Sequence, residues 1–132
     1  MNLPLTLTLT LTLCGQTPRA PESQDDASAR LAYMKDSVTS YKVHPTETDS
    51  ASFRLETEPY FRLNNAVSGV KDGAIFLWLD EVGRPEAAIQ VFQVPDGLWI
   101  HEFTSLSTAP IVAEDGRSPR WRPSRAGVEF KP

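Results

Sequence analysis

The chain has 132 residues and a mass of 14.7 kDa, room for one domain that buries roughly two-thirds of the surface its unfolded form exposes. A formal charge of −4 and an isoelectric point near 5.1 exclude nucleic acid as the main partner, because phosphate binding draws on an excess of bases. The single cysteine, Cys14, excludes an intrachain disulfide and a cysteine-built zinc site, and eleven prolines favour short strands with irregular connections.

Residues 3–13, LPLTLTLTLTL, make an uncharged run shorter than the roughly 20 apolar residues that span a bilayer as a helix, so no integral membrane span is expected. The run reads as the core of a signal peptide, with Thr12 and Cys14 small enough to permit cleavage before Gly15. Two other readings stand beside it. Cys14 can be the acylated first residue of a lipoprotein, against which bulky Leu13 counts, or the Leu/Thr alternation is that of a strand. The organisation predicted is a signal peptide at 1–15, a linker at 16–25 rich in Pro, Ser, Gln and charge, and one β-rich domain at 26–132.

From Ala27 the apolar residues Leu31, Met34, Val38 and Tyr41 recur every three or four positions, which places them on one helical face, with Asp25 or Asp26 as the cap. Arg30 and Lys35 are too few to give that helix a basic membrane-binding face, so it is expected to pack on a sheet. Residues 45–50 break the pattern. Phe53 and Leu55 then alternate with Arg54 and Glu56 as in a half-buried strand, and residues 60–63 form another before a loop at 64–73.

The stretch 73–93, GAIFLWLDEVGRPEAAIQVFQ, holds two apolar runs about a charged Gly/Pro turn and predicts a β-hairpin. Its first run, 74–79, is apolar at all six positions, as for a strand covered on both faces. One helix covers one face, so the other requires a second sheet built from Phe53, Phe61, Val112 and Phe130, or a partner, which includes an oligomer of this chain. Pro95-Asp96-Gly97 makes a tight turn into a strand at 98–104, LWIHEFT. Residues 111–114 turn at Asp115-Gly116, Pro119 and Pro123 confine the strand through Trp121 to an edge, and residues 128–130 close the domain as a last short strand. The fold predicted is α+β, an N-terminal amphipathic helix packed on a predominantly antiparallel β-meander of six or seven short strands.

Chemistry is sparse. His101 and Glu102 are adjacent on a strand and therefore point to opposite faces, which counts against a dyad. His101 shares its face with Trp99 and Phe103 and reads first as a half-buried structural histidine. A catalytic role needs a carboxylate from a neighbouring strand, Glu86 or Asp80. His44 and His101 are too far apart in sequence to suggest a metal site, and no cofactor motif is present: no G-x-S-x-G surrounds Ser105 or Ser107, and residues 69–73 lack a phosphate-binding loop. Trp78, Trp99 and Trp121, with Tyr60, Phe61 and Phe76, supply either core or a stacking platform for sugars. The segment RSPRWRPSR sets Arg117, Arg120, Arg122 and Arg125 around Trp121, a grouping suited to carboxylates, sulfates or phosphates.

Five pieces carry a family resemblance: EPYFRLNN at 58–65, DGAIFLW at 72–78, RPEA at 84–87, WIHEFTSLS at 99–107 and PSRAGVEF at 123–130. In that order the chain resembles an uncharacterised exported protein family of planctomycete-type bacteria. Thr104 stands where the family often has histidine, and Ala126 where it often has proline. The resemblance implies export and a β-rich domain, names no reaction, and implies relatives that continue beyond Pro132, so that this chain reads as an incomplete copy of a longer one. The function expected is that of a secreted or cell-envelope interaction module without catalysis, presenting a sheet face or the Arg/Trp segment to a protein or an anionic glycan. The alternative is an envelope hydrolase using His101 with Glu86 or Asp80.

Overall fold

The computed structural model describes residues 24–46, 51–116 and 118–131. The predicted signal peptide, Cys14 and most of the predicted linker lie outside these residues. The described elements are α1 (Gln24–Val38), β1 (Tyr41–Pro45), β2 (Arg54–Leu55), β3 (Phe61–Asn65), β4 (Val70–Leu79), β5 (Pro85–Gln93), β6 (Trp99–Ser105), β7 (Ile111–Asp115) and β8 (Ser118–Trp121). The architecture is α+β and β-rich. All strand pairings are antiparallel.

The described strands number eight, not six or seven, and they form two sheets rather than one meander. Five strands run in the order β2-β4-β5-β6, with β3 also on β4, and three in the order β1-β7-β8. Strand β1 replaces what the spacing suggested was the end of the helix. After Val38, the side chains of Thr39 and Ser40 hydrogen-bond the carbonyls of Asp36 and Ser37 at 2.7 and 2.8 Å, taking up orphan acceptors of the last turn, and Tyr41 starts a strand paired with β7. Asp25 and Asp26 fall inside the first turn of α1 rather than before it. Residues 128–130 are not a strand.

The predicted hairpin is present as β4 and β5, paired from Gly73–Phe92 to Leu79–Pro85. Gly97 and Gly116 take positive φ, 92° and 62°, at the β5–β6 and β7–β8 corners where turn geometry favours glycine. Register separates the two faces of the larger sheet. Ala74, Phe76 and Trp78 lie opposite Val91, Ile89 and Ala87, and these opposite His101, Phe103 and Ser105. Ala74, Phe76, Trp78, Ala87, Ile89 and Val91 are buried and join Met34 and Val38 of α1 and Val43, Ile111 and Ala113 of the smaller sheet in one core cluster.

The second sheet therefore exists but shares the inner side with the helix residues, instead of covering the opposite face. Ile75, Leu77 and Leu79 point to that opposite face and are only half-buried. Of the four residues expected to build a covering sheet, Val112 is in β7 and buried, and Phe53 packs at the edge of the core. Phe61 lies on that opposite face at 57% exposure, and Phe130 is exposed. Among the described residues no sheet or helix lies over that second face, so the reading of 74–79 as covered on both faces is met on the inner side alone.

Candidate functional site

Strand pairing brings chemistry together along the inner rim between β6 and the smaller sheet. Tyr41 opposes Asp115 across β1 and β7, on the same side as Val43 and Ala113, and Trp121 of β8 opposes Ala113. Between Ala113–Trp121 and Glu114–Pro119 the register shifts, so Arg120 is an extra residue on β8. Such a bulge re-aims its side chain, and the Arg120 guanidinium reaches back to Asp115, with Nε at 3.2 Å and Nη2 at 3.1 Å from Oδ2.

On the facing sheet, alternation along β6 puts Trp99, His101 and Phe103 on the inner side. The Tyr41 hydroxyl and His101 Nδ1 are 2.7 Å apart. Phe103 connects the sheets: its ring stacks on Trp121 at 5.4 Å, meets Tyr41 edge-on at 5.0 Å and lies 6.0 Å from Trp78. Tyr33 of α1 stacks on Trp99 at 4.4 Å. The result is a polar centre, Tyr41 with His101, Asp115 and Arg120, framed by half-buried Trp99, Phe103 and Trp121.

Two titrations are displaced. Burial raises the Tyr41 pKa, with the Asp115 carboxylate adding to the rise and Arg120 opposing it, so the phenol keeps its proton. Burial lowers the pKa of His101, so the imidazole is neutral at pH 7. With both groups neutral, the direction of this bond follows the imidazole tautomer: with the ring proton on Nε2 the phenol donates to Nδ1, and with it on Nδ1 the ring donates to the phenol oxygen. In either case Nδ1 is engaged by Tyr41 and the pair keeps one spare N–H or O–H donor. This arrangement is suited to holding a polar ligand.

The carboxylates considered as partners for His101 are elsewhere. His101 pairs with Val91, and Glu86 is five residues further along β5, about 17 Å at 3.4 Å per residue. Glu86 is the extra residue of a bulge opposite Trp78 and Leu79, is buried, and sits 3.2 Å from Arg84 Nε. Asp80 caps the β4–β5 turn, its Oδ1 accepting from the backbone N–H groups of Val82 and Arg84 at 3.0 and 2.8 Å. Among the described residues no carboxylate lies within hydrogen-bond reach of His101. Glu102 points to the outer face, as adjacency on a strand requires.

Of the arginine group, Arg120, Arg122 and Arg125 are exposed, the first of them held by Asp115, and Arg117 lies outside the described residues. Trp78 is fully buried core and offers no stacking surface. The sequence pattern reads Tyr41 as part of a helical face and Asp115 as a turn residue and does not single out Tyr33; only the pairing of β1 with β7 and the seating of Tyr33 on Trp99 bring them to the site. Among the described residues no three His, Cys, Asp or Glu side chains are grouped to hold a metal ion, and no helix is long and apolar enough to cross a membrane. A surface cavity of about 600 Å³ is lined by Phe61, Arg62, Leu63, Asn64 and Asp72, and another of about 530 Å³ includes Phe53, Leu79 and Asp80. Neither contains His101.

Compared with protein-family models, with curated proteins and with solved structures, the chain has no match in any of the three.

Proposed function

We propose that this chain is an exported interaction module that binds an anionic glycan along the rim formed by β6, β8 and the segment after β8, without catalysis. The observation that carries the reading is Trp121: half-buried and stacked on Phe103, flanked in sequence by the exposed Arg120 and Arg122, with the exposed Arg125 four residues on. A sugar ring is recognised by an aromatic face together with planar donors, and guanidinium groups match carboxylates and sulfates in bidentate fashion. The segment supplies these at one edge of a chain that is acidic as a whole. Tyr41 and His101 add a neutral donor at the centre. The helix belongs to the same reading as the element that closes the rim, through Tyr33 on Trp99.

Export rests on the Leu/Thr run at 3–13 and on the family resemblance, both of which favour the envelope or the extracellular space. The hydrolase reading is the weaker one, since Glu86 and Asp80 are engaged elsewhere and His101 Nδ1 is engaged by Tyr41 rather than by a carboxylate.

The test uses heparin as the anionic probe and unmodified dextran as the neutral control. Retention on immobilised heparin is expected for the natural sequence, with loss in the Arg120→Ala, Arg122→Ala, Arg125→Ala triple variant and weakening in Trp121→Ala. His101→Gln retains binding. Equal retention of the triple variant, or no retention of the natural chain at low salt, overturns the proposal. Measurement at several salt concentrations is part of the assay, because exposed charge contacts weaken as ionic strength rises.

A further inference from the structure

We propose that capture of an anionic glycan at this rim, the reading on which the following rests, takes up a proton at His101 and so tightens as the medium turns acid. Alternation puts His101 on the inner side of β6. There it is half-buried, with the Tyr41 ring edge-on to it at 5.7 Å and the Tyr41 hydroxyl 2.7 Å from Nδ1. Among the described residues that hydroxyl is the one hydrogen-bond partner His101 has, so Nε2 is unpartnered. The one buried side-chain nitrogen or oxygen without a partner among these residues is Ser105 Oγ, which means that Nε2 reaches the surface. The ring is anchored at one nitrogen and open at the other.

The neighbours of His101 give an imidazolium nothing to pair with. From β1 it meets neutral Tyr41, and from α1 Tyr33 comes near through its stack on Trp99. Asp115 of β7 and Arg120 of β8 both act on Tyr41, but they are paired with each other at 3.1 Å. Val91, opposite on β5, is apolar, and Glu102, next on β6, points to the other face. Burial without a counter-charge disfavours the cation, in line with the lowered pKa of His101.

A sulfate or carboxylate brought to Nε2 supplies the missing charge. Phe103, which stacks on Trp121, is two residues from His101 on the same face, about 7 Å at about 3.4 Å per residue. A disaccharide seated at Trp121 spans that step. Protonation costs no existing contact, because both imidazolium nitrogens are donors: Nδ1–H donates to the Tyr41 oxygen while Nε2–H faces the anion. A ligand that prefers the protonated form raises its pKa. By linkage, affinity then climbs as pH falls through the bound value and levels below the free one.

The test follows the imidazole signals of both histidines by NMR between about pH 4.5 and 8, a range that brackets ordinary histidine titration, in the full chain alone and with a saturating heparin tetrasaccharide. His44 is the internal reference: it alternates with Tyr41 to the other face of β1, and its Nε2 is 3.5 Å from Glu114 Oε2. The His101 midpoint is expected to rise by at least about one unit with the tetrasaccharide, the equivalent of about tenfold tighter binding to the protonated form, and that of His44 by much less. On immobilised heparin, the salt needed for elution rises between about pH 7.5 and 5.5 by more in the natural chain than in His101→Gln. The NMR titration uses the natural chain, so it decides whether or not the variant folds. Binding with an unmoved His101 midpoint, an equal rise at His44, or an undiminished acid gain in His101→Gln overturns the proton linkage and leaves the rim reading standing. Failure to bind heparin throughout this pH range is the distinct result that overturns the rim reading, and the linkage with it.

Discussion

Asp72→Asn is the substitution that most directly tests how the inner face is held. Asp72 is on the inner side of β4, and its side chain is 8% exposed. It accepts from Arg30 Nε of α1 at 3.1 Å and from Arg62 of β3 through Nε at 3.1 Å and Nη2 at 2.6 Å, tying three elements at one point. The asparagine is nearly isosteric, so packing is retained and the change isolates charge. Removing one member of a buried ion pair costs about 3–5 kcal/mol because the partner is left unpaired in a poor solvent. Arg62 is 37% exposed and recovers part of its hydration, and the amide oxygen retains one acceptor, so about 2–3 kcal/mol is expected. For a domain of this size that lowers the melting temperature by roughly 7–13 °C. Urea titration followed by tryptophan fluorescence gives the loss, with the slope unchanged if the unfolded state is unaffected. The change is also non-additive with Arg62→Met by at least about 1 kcal/mol. A loss under about 0.5 kcal/mol would refute the claim that this carboxylate ties the inner face together, and strict additivity would refute its coupling to Arg62 of β3.

Trp78→Ala empties the centre of the core, where the side chain is 1% exposed. A loss of about 3–5 kcal/mol in the same titration is expected, and a loss under about 1 kcal/mol would show that the two sheets do not close over it. Gly127→Ala places a Cβ 1.9 Å from the Ser105 carbonyl oxygen, which the tail cannot accommodate without lifting its N–H groups at 127 and 128 from the Ser107 carbonyl, now 3.0 and 3.2 Å away. Amide exchange at those two positions should accelerate at least about tenfold, the equivalent of about 1.4 kcal/mol of local stability, and unchanged protection would contradict the contact. His101 titrates below its ordinary value in the fold because burial disfavours the imidazolium. The unfolded chain therefore binds the proton more readily, and the stability this residue contributes is complete above its unfolded pKa of about 6.5 and is lost as pH falls from there toward the lower folded value. His101→Phe should flatten the stability profile across that window. An NMR titration of His101 above 6.5 would reverse the sign.

Much of the larger sheet was legible because its signals are local. The apolar run at 74–79, the Gly/Pro-bearing turn and the Pro95-Asp96-Gly97 corner each lie within a few residues of what they determine. The smaller sheet was not. Its central pairing joins Tyr41 to Asp115, and nothing near Tyr41 announces a partner so far along the chain. Tyr41 also follows Val38 by three, which continues the helical spacing, while the hydroxyls of Thr39 and Ser40 that end the helix are equally at home in a helix interior facing water. Once β1 is read as helix, β7 loses its neighbour and the two sheets merge into one.

The candidate site divides along the same line. Trp121, Arg120, Arg122 and Arg125 could be picked out because they crowd one short segment, whereas Tyr41, Tyr33 and Asp115 join His101 only through folding. Parity along β6 separated His101 from Glu102 in advance. It could not show that the histidine would engage a tyrosine from the other sheet. That hydrogen bond changes the chemistry available: a histidine oriented by a nearby carboxylate invites a base, while this one has its Nδ1 engaged by a neutral phenol. The arginine segment then gains weight, because a donor at the centre and guanidinium groups at the edge select for the same kind of ligand, one rich in oxygen and negative charge.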